Sequence, residues 1–221
     1  MAKIAIVYYS STGHAYEVAK AYEEGAKSVG AETRLRKVKE LAPAEVVATQ
    51  AGWQAHATAT QHVPEATLED LEWADGYVFG TPVRFGLPAA QLKQFIDTTG
   101  PLWAQGKLAN KAVGAFTGAM NAHGGQEAAI LALSNTFYHW GSIMVPIGYT
   151  DPVNYAAGGN PYGVSYTAPM GSTGPSQEVL AAARYHGKRI AQFAQLISQN
   201  LGQILPTADE AREGAHAAGG E

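Results

Sequence analysis

Short, unbroken apolar runs alternate along this chain with stretches where apolar residues recur every three or four positions. The run Ile4-Ala5-Ile6-Val7-Tyr8-Tyr9 is brief and rich in β-branched and aromatic residues, which predicts a strand buried on both faces. Residues 14–29 then switch period: Val18, Tyr22, Ala26 and Val29 mark one face of a helix that Gly30 ends. Residues 31–37 alternate apolar and charged positions, as a half-exposed edge strand does. Further strands are predicted over Gly76–Thr81, Ala112–Thr117 and Ile143–Ile147. Helices follow, with apolar faces at Leu92, Phe95, Ile96 and Thr99, then at Ile130, Leu133, Phe137 and Trp140. Pro88 suits the first turn of the former. A last helix opens at Ser176 and keeps its period through Leu180, Ala183, Gly187, Ile190, Ala194, Ile197 and Leu201. Residues 40–66 lack a clean period and read as a short helix and a long loop. Residues 100–110 read as loop, and 148–175 as a Gly/Pro/Tyr-rich connection too long to be a simple turn.

Strand followed by helix, five times over, implies an α/β domain with a parallel sheet covered on both faces. Its expected extent is 1–203, with a flexible tail over 204–221. Ligands of such doubly wound sheets bind beyond the carboxyl ends of the strands. That points to the loops at 10–15, 82–87 and 117–125.

The first of these loops reads Ser10-Ser11-Thr12-Gly13-His14-Ala15. A strand-to-helix turn offers free N–H groups and the positive end of a helix dipole, and these hydroxyls add donors. With no Lys or Arg, such a cradle suits a phosphate monoester; an ordinary Ser/Thr-capped turn explains the same residues equally well. The spacing is neither that of a nucleotide-hydrolysing P-loop nor that of a dinucleotide fold. The second loop, Gly80-Thr81-Pro82-Val83-Arg84-Phe85-Gly86, offers amides to a heterocycle edge and one Arg to an electron-rich ring, or is a turn with a solvated Arg. The third, Thr117-Gly118-Ala119-Met120-Asn121-Ala122-His123-Gly124-Gly125, forms a second wall or a plain connection.

Composition narrows the choices. The 221 residues include no Cys, which excludes a thiolate nucleophile, a disulfide framework and a Cys-ligated metal. Net charge is −4 with pI ≈ 6.0, against nucleic-acid binding and short of a strongly acidic electron carrier. Charged residues make up 15%, below the usual level of about 25%, a hint that other subunits cover part of the surface. No apolar run is long enough for membrane insertion, and no leader pattern precedes Ile4, so a cytoplasmic location is expected. His56, His62 and His186 lack metal-ligand spacing, so no metal is expected. No serine-hydrolase elbow is present.

The chain resembles the flavodoxin-like NAD(P)H:quinone oxidoreductases of the WrbA family. The matching strings run in order: Tyr8-Tyr9-Ser10, Gly13-His14, Gly80-Thr81-Pro82 with Arg84-Phe85-Gly86, Thr99-Gly100 with Leu102-Trp103-Ala104, Gly125-Gln126-Glu127, Val145-Pro146-Ile147-Gly148-Tyr149, Pro161-Tyr162-Gly163, and Pro175-Ser176-Gln177-Glu178 leading to Ala183-Arg184-Tyr185. The resemblance implies a five-stranded sheet in the order 2-1-3-4-5 and FMN as cofactor. It places the FMN phosphate on Ser10, Ser11, Thr12, Gly13, His14 and Ala15. It places the isoalloxazine between Thr81, Pro82, Val83, Arg84, Phe85 and Gly86 on one side and Thr117, Gly118, Ala119, Met120, Asn121 and Gly124 on the other. Trp103, from a neighbouring subunit, His139 and Arg84 are the implied catalytic residues, with His139 also approaching the cofactor; Tyr149 either lines the same pocket or serves packing equally well. The implied reaction is ping-pong: NADH or NADPH delivers hydride to flavin N5, then a quinone takes two electrons. A homotetramer is the implied assembly. Thr12 stands where the family often has an aromatic residue, the third loop is one residue longer, and residues 40–66 match poorly. A flavodoxin-type electron carrier and a regulatory partner of a transcription factor are the alternatives.

Overall fold

The structure, a computed structural model, describes residues 1–169 and 171–204. The tail expected from 204 onward lies outside the described residues after Ile204. The first strand, β1 (Lys3–Tyr8), leads into α1 (His14–Lys27), and β2 (Glu32–Lys37) follows. Three short helices come next: α2 (Ala44–Ala48), α3 (Ala51–Ala59) and α4 (Leu68–Trp73). The hairpin of β3 (Gly76–Arg84) and β4 (Leu87–Pro88) precedes α5 (Ala90–Asp97) and α6 (Gly100–Ala104). The remainder is β5 (Ala112–Ala119), α7 (Gln126–Trp140), β6 (Ile143–Met144), α8 (Val153–Ala156), β7 (Val164–Thr167) and α9 (Gln177–Ile204).

The principal strands lie in the order β2-β1-β3-β5-β6, all parallel, which is the expected 2-1-3-4-5 winding. Alternation along the buried strands feeds two cores. Ile4, Ile6, Tyr8, Val78 and Phe116 face α1 and α9, while Ala5, Val7, Tyr77, Phe79 and Val113 face α4, α5 and α7.

Several details differ from the sequence reading. Among the described residues the sheet has 7 strands rather than five. The added β4 turns back antiparallel on β3, pairing Val83 with Pro88. Pro88 is therefore strand, not first-turn helix, and Thr81 Oγ1 accepts the Ala89 N–H at 3.0 Å where α5 begins. The predicted fifth strand is split. After Val145 donates to Val113 O at 2.8 Å, Pro146 has no N–H to extend the ladder. The chain makes an excursion, whose base Asn154 closes by donating to Gly148 O and Asn160 O at 2.6 and 3.2 Å. It returns as β7, which pairs Phe116–Ala119 of β5 with Val164–Thr167. This pairing carries β5 past Thr117 into the segment read as loop. Residues 40–66 hold two short helices rather than one, and α6 occupies part of the 100–110 loop.

Packing of α9 on α1 centres on a buried imidazole. His186 is fully buried, and Val145 O, an acceptor only, lies 2.7 Å from Nε2, so Nε2 carries the proton. Nδ1 then accepts the Tyr22 O–H at 2.7 Å. Burial pushes the His186 pKa down to about 4, against about 6.5 in an unfolded chain. The unfolded state therefore takes up the proton first on acidification. The stability due to neutral His186 is intact above pH ~6.5 and is lost as pH falls towards ~4, about 3 kcal/mol in all. Urea unfolding at pH 7 and at pH 4.5 should show this loss in the wild type and a smaller one in His186→Gln, which starts less stable.

Candidate functional site

The site begins where β1 hands over to α1. Gly13 is the N-cap of α1 with φ 98°, and no side chain caps the helix. The Ser/Thr-capped turn allowed by the sequence is thus not what forms. Ser10 Oγ instead accepts the Gly13 N–H at 3.0 Å, folding the turn back on itself. The uncapped first-turn amides of α1 and the dipole behind them make an anion cradle.

The pairing Tyr8↔Gly80 and Gly80↔Phe116 brings the ends of β1, β3 and β5 to one edge of the sheet. There a cleft of about 570 Å³ opens, within the range of about 300–1,000 Å³ of small-molecule sites. Its walls are Ser11, Thr12 and His14 from the first loop, Pro82, Val83, Arg84 and Phe85 from the second, and Gly118, Ala119, Met120, Asn121 and Gly124 from the third. The structure also adds Tyr166 and Ala168. Among the described residues no carboxylate lines the cleft, and its charged or titratable members are Arg84, His14 and Tyr166. Arg84 Nη2 reaches Ser11 Oγ at 3.4 Å and so bridges the first two loops.

The hairpin between β3 and β4 turns on Phe85 and Gly86, with φ 52° and 79°. Two positive φ values in a two-residue loop define a type I′ turn. Phe85 is fully solvent-exposed at this tip. A non-glycine residue held at positive φ stores strain, as ligand-contacting turns often do. The third loop is closed by Gln126 Nε2 donating to Asn121 O at 2.7 Å.

Other assigned residues support the cleft without lining it. Thr81 and Thr117 are fully buried, their hydroxyls engaged with Ala89 N–H and Pro82 O and with Gln126 O, so they brace the floor. Ala15 is buried under the first loop, and Ser10 borders a smaller cavity behind it. Tyr166 was not legible as a site residue. It stands on β7, its ring pressed over Gly118, where a Cβ would fall 2.0 Å from Tyr166 Cζ. The edge of His14 meets that ring at 6.4 Å between centroids. The signal was the alternation Val164-Ser165-Tyr166-Thr167 just after Gly163.

Trp103 and His139 are brought together, but not to this cleft. Trp103 Nε1 donates to His139 O at 2.9 Å, and both line a separate groove of about 480 Å³. The N-terminus of α7 abuts the cleft and His139 lies near its other end, about 20 Å further along the axis. His139 therefore does not approach the cleft of its own chain. Tyr149, 56% exposed and stacked on Tyr155 at 5.0 Å, also lies outside the cleft lining.

Residues 2–150 match the family model described as NADPH-dependent FMN reductase. A NAD(P)H dehydrogenase (quinone) of Deinococcus radiodurans is 51% identical over 166 residues, 75% of this chain and 83% of that protein. A NAD(P)H dehydrogenase (quinone) of Syntrophobacter fumaroxidans is 41% identical over 204 residues, 90% of this chain and 100% of that protein. The solved flavodoxin, WrbA-like protein of Agrobacterium tumefaciens superposes with TM-score 0.63 at 24% identity, covering 89% of this chain and 99% of that one. Oxidised flavodoxin 2 of Bacillus cereus superposes with TM-score 0.57 at 16% identity, covering 86% of this chain and 99% of that one. The fold is flavodoxin-like.

The expected role of the first loop as a phosphate site is open to a direct check. Gly13→Val puts a β-branched residue at φ 98°, with its Cβ 3.3 Å from His56 Nδ1. Its FMN affinity should fall by at least about tenfold in a flavin fluorescence titration, with the circular dichroism spectrum unchanged; wild-type affinity would count against this loop as the phosphate site.

Proposed function

This chain belongs to the NADPH-dependent FMN reductase family, and from that footing we propose that it is an FMN-dependent NAD(P)H:quinone oxidoreductase. The observation that carries the reading is the convergence of an uncapped helix N-terminus and two further loops on one cleft, which no carboxylate among the described residues lines. These residues fit FMN. The first-turn amides of α1, with the hydroxyls of Ser10, Ser11 and Thr12, would hold a phosphate monoester without a cationic side chain from the turn. Val83–Phe85 and Gly118–Asn121 stand on opposite sides of a space suited to a flat heterocycle. When bound, the cofactor supplies two-electron exchange between a nicotinamide nucleotide and a quinone.

The protein's part is binding, orientation and polarisation. The Arg84 guanidinium at the mouth of the cleft favours negative charge on a ring held there. Phe85 and Met120, both exposed beside it, offer apolar contact to a flat visitor. NADH or NADPH and the quinone take turns at this single open face, which gives ping-pong order. Trp103 and His139 are assigned to the cleft of a neighbouring subunit in a homotetramer. Their groove is open, and Trp103 is 57% exposed although its indole N–H is already satisfied by His139 O, so its face is available to stack on a flat ring. His139 would then donate a hydrogen bond or proton to a quinone oxygen.

Purified protein should be yellow and oxidise NADH or NADPH in the presence of benzoquinone. Trp103→Ala should lower kcat/KM for quinone by about tenfold or more and change the FMN Kd by less than about threefold. A parallel fall in both quantities would remove Trp103 from the substrate pocket.

A further inference from the structure

Helix α3 packs on the first loop. A Cβ on Gly52 would lie 3.9 Å from Thr12 Cγ2, and His56 Nδ1 sits 3.3 Å from where a Cβ on Gly13 would fall. The His56 ring also packs on Tyr16 of α1, with centroids 5.7 Å apart. Its main-chain carbonyl accepts the Thr60 hydroxyl, whereas neither ring nitrogen has a hydrogen-bond partner among the described residues.

The helix is held firmly in that place. Glu40 accepts from Tyr9 Oη at 2.9 Å, from Gln91 Nε2 at 2.8 Å and from Trp53 Nε1 of α3 at 3.1 Å. Burial pushes the Glu40 carboxyl up, but donors from Ala42, Gln91, Tyr9 and Leu41 together hold it below the usual carboxylate value, so this clamp stays ionised. At the other end of α3, Lys37 Nζ donates to Thr60 O at 2.7 Å.

We propose that His56 is a phosphate-recognition residue carried by α3, whose imidazole takes up a proton when a phosphomonoester dianion enters the turn at Ser10–Ala15. This rests on the FMN reading above and supplies the cation that the loop itself lacks. In the free protein, burial and then the charge of Lys37 depress the His56 pKa, with His14 adding to this and Glu17 of α1 opposing it. Glu40 and Glu65 border the small cavity beneath the ring. The free ring is therefore neutral at pH 7, and an arriving dianion favours its charged form. Binding consumes a proton, so FMN affinity falls as pH rises, whereas riboflavin, which lacks the phosphate, is indifferent.

The test uses the full chain freed of flavin, with FMN and riboflavin Kd values from fluorescence quenching between pH 6.5 and 8.5, above the second phosphate pKa of about 6. Wild-type FMN affinity should weaken about tenfold across this range. His56→Gln should bind FMN about tenfold more weakly at pH 6.5 with a flat profile, and riboflavin should change by less than about twofold in both proteins. In the wild type, the His56 NMR resonance, identified by its loss in His56→Gln, should titrate at higher pH with FMN bound. Coincident FMN profiles, or a slope lost in His14→Gln but kept in His56→Gln, overturn the proposal while leaving the cofactor reading intact. Failure to bind either flavin overturns both.

Discussion

The whole site depends on how the three central strands are laid side by side. Tyr8 pairs with Gly80 and Gly80 with Phe116, so β1, β3 and β5 deliver their following loops to one edge. That register is enforced by a close approach: a Cβ on Gly80 would fall 1.9 Å from Phe116 Cζ, so the Phe116 ring fits only across a glycine. The same ring stacks on Tyr22 at 5.1 Å, and Tyr22 is tied to His186 of α9. One glycine-aromatic contact thereby couples the sheet to α1 and α9.

The cleft is built rigid below and open above. Buried Thr81 and Thr117 satisfy backbone groups beneath it, and Tyr166 fills the space over Gly118. At the mouth, Phe85, Arg84 and Met120 are exposed, and Phe85 rides on a strained two-residue turn. Such a division suits a molecule gripped by its tail and approached by flat partners from one side. A turn without Lys or Arg of its own suits a phosphate monoester through amide geometry rather than net charge, with Arg84 and His56 of α3 the neighbouring groups that could add charge to it.

The interrupted fifth strand changes what lines the cleft. Pro146 ends the ladder after β6, and the returning β7 pairs with the upper half of β5. The return of the chain brings Tyr166 and Ala168 to the cleft. Trp103 and His139 follow a different logic. They are tied together by one hydrogen bond in a separate groove, at the end of α7 remote from the cleft, so neither lines the cleft of its own chain.

Local pattern alone determined most of the frame. Apolar runs buried on both faces, the helical period of α1, α7 and α9, and the strand-helix alternation specify a doubly wound sheet, because each is a property of neighbours in sequence. The three loops were legible for the same reason: in such a winding the ligand edge is set by chain direction. Tertiary structure decided what depends on residues far apart. Thr81 and Thr117 turned inward, where their hydroxyls meet the Ala89 N–H and the Gln126 carbonyl at the starts of the following helices. His139 went to the far end of α7 because a helix of 15 residues carries its last turn away from the site. Tyr166 and His56 reached the site from segments with weak local signals, since only the closing of β7 on β5 and of α3 on the first loop gives those side chains anything to face.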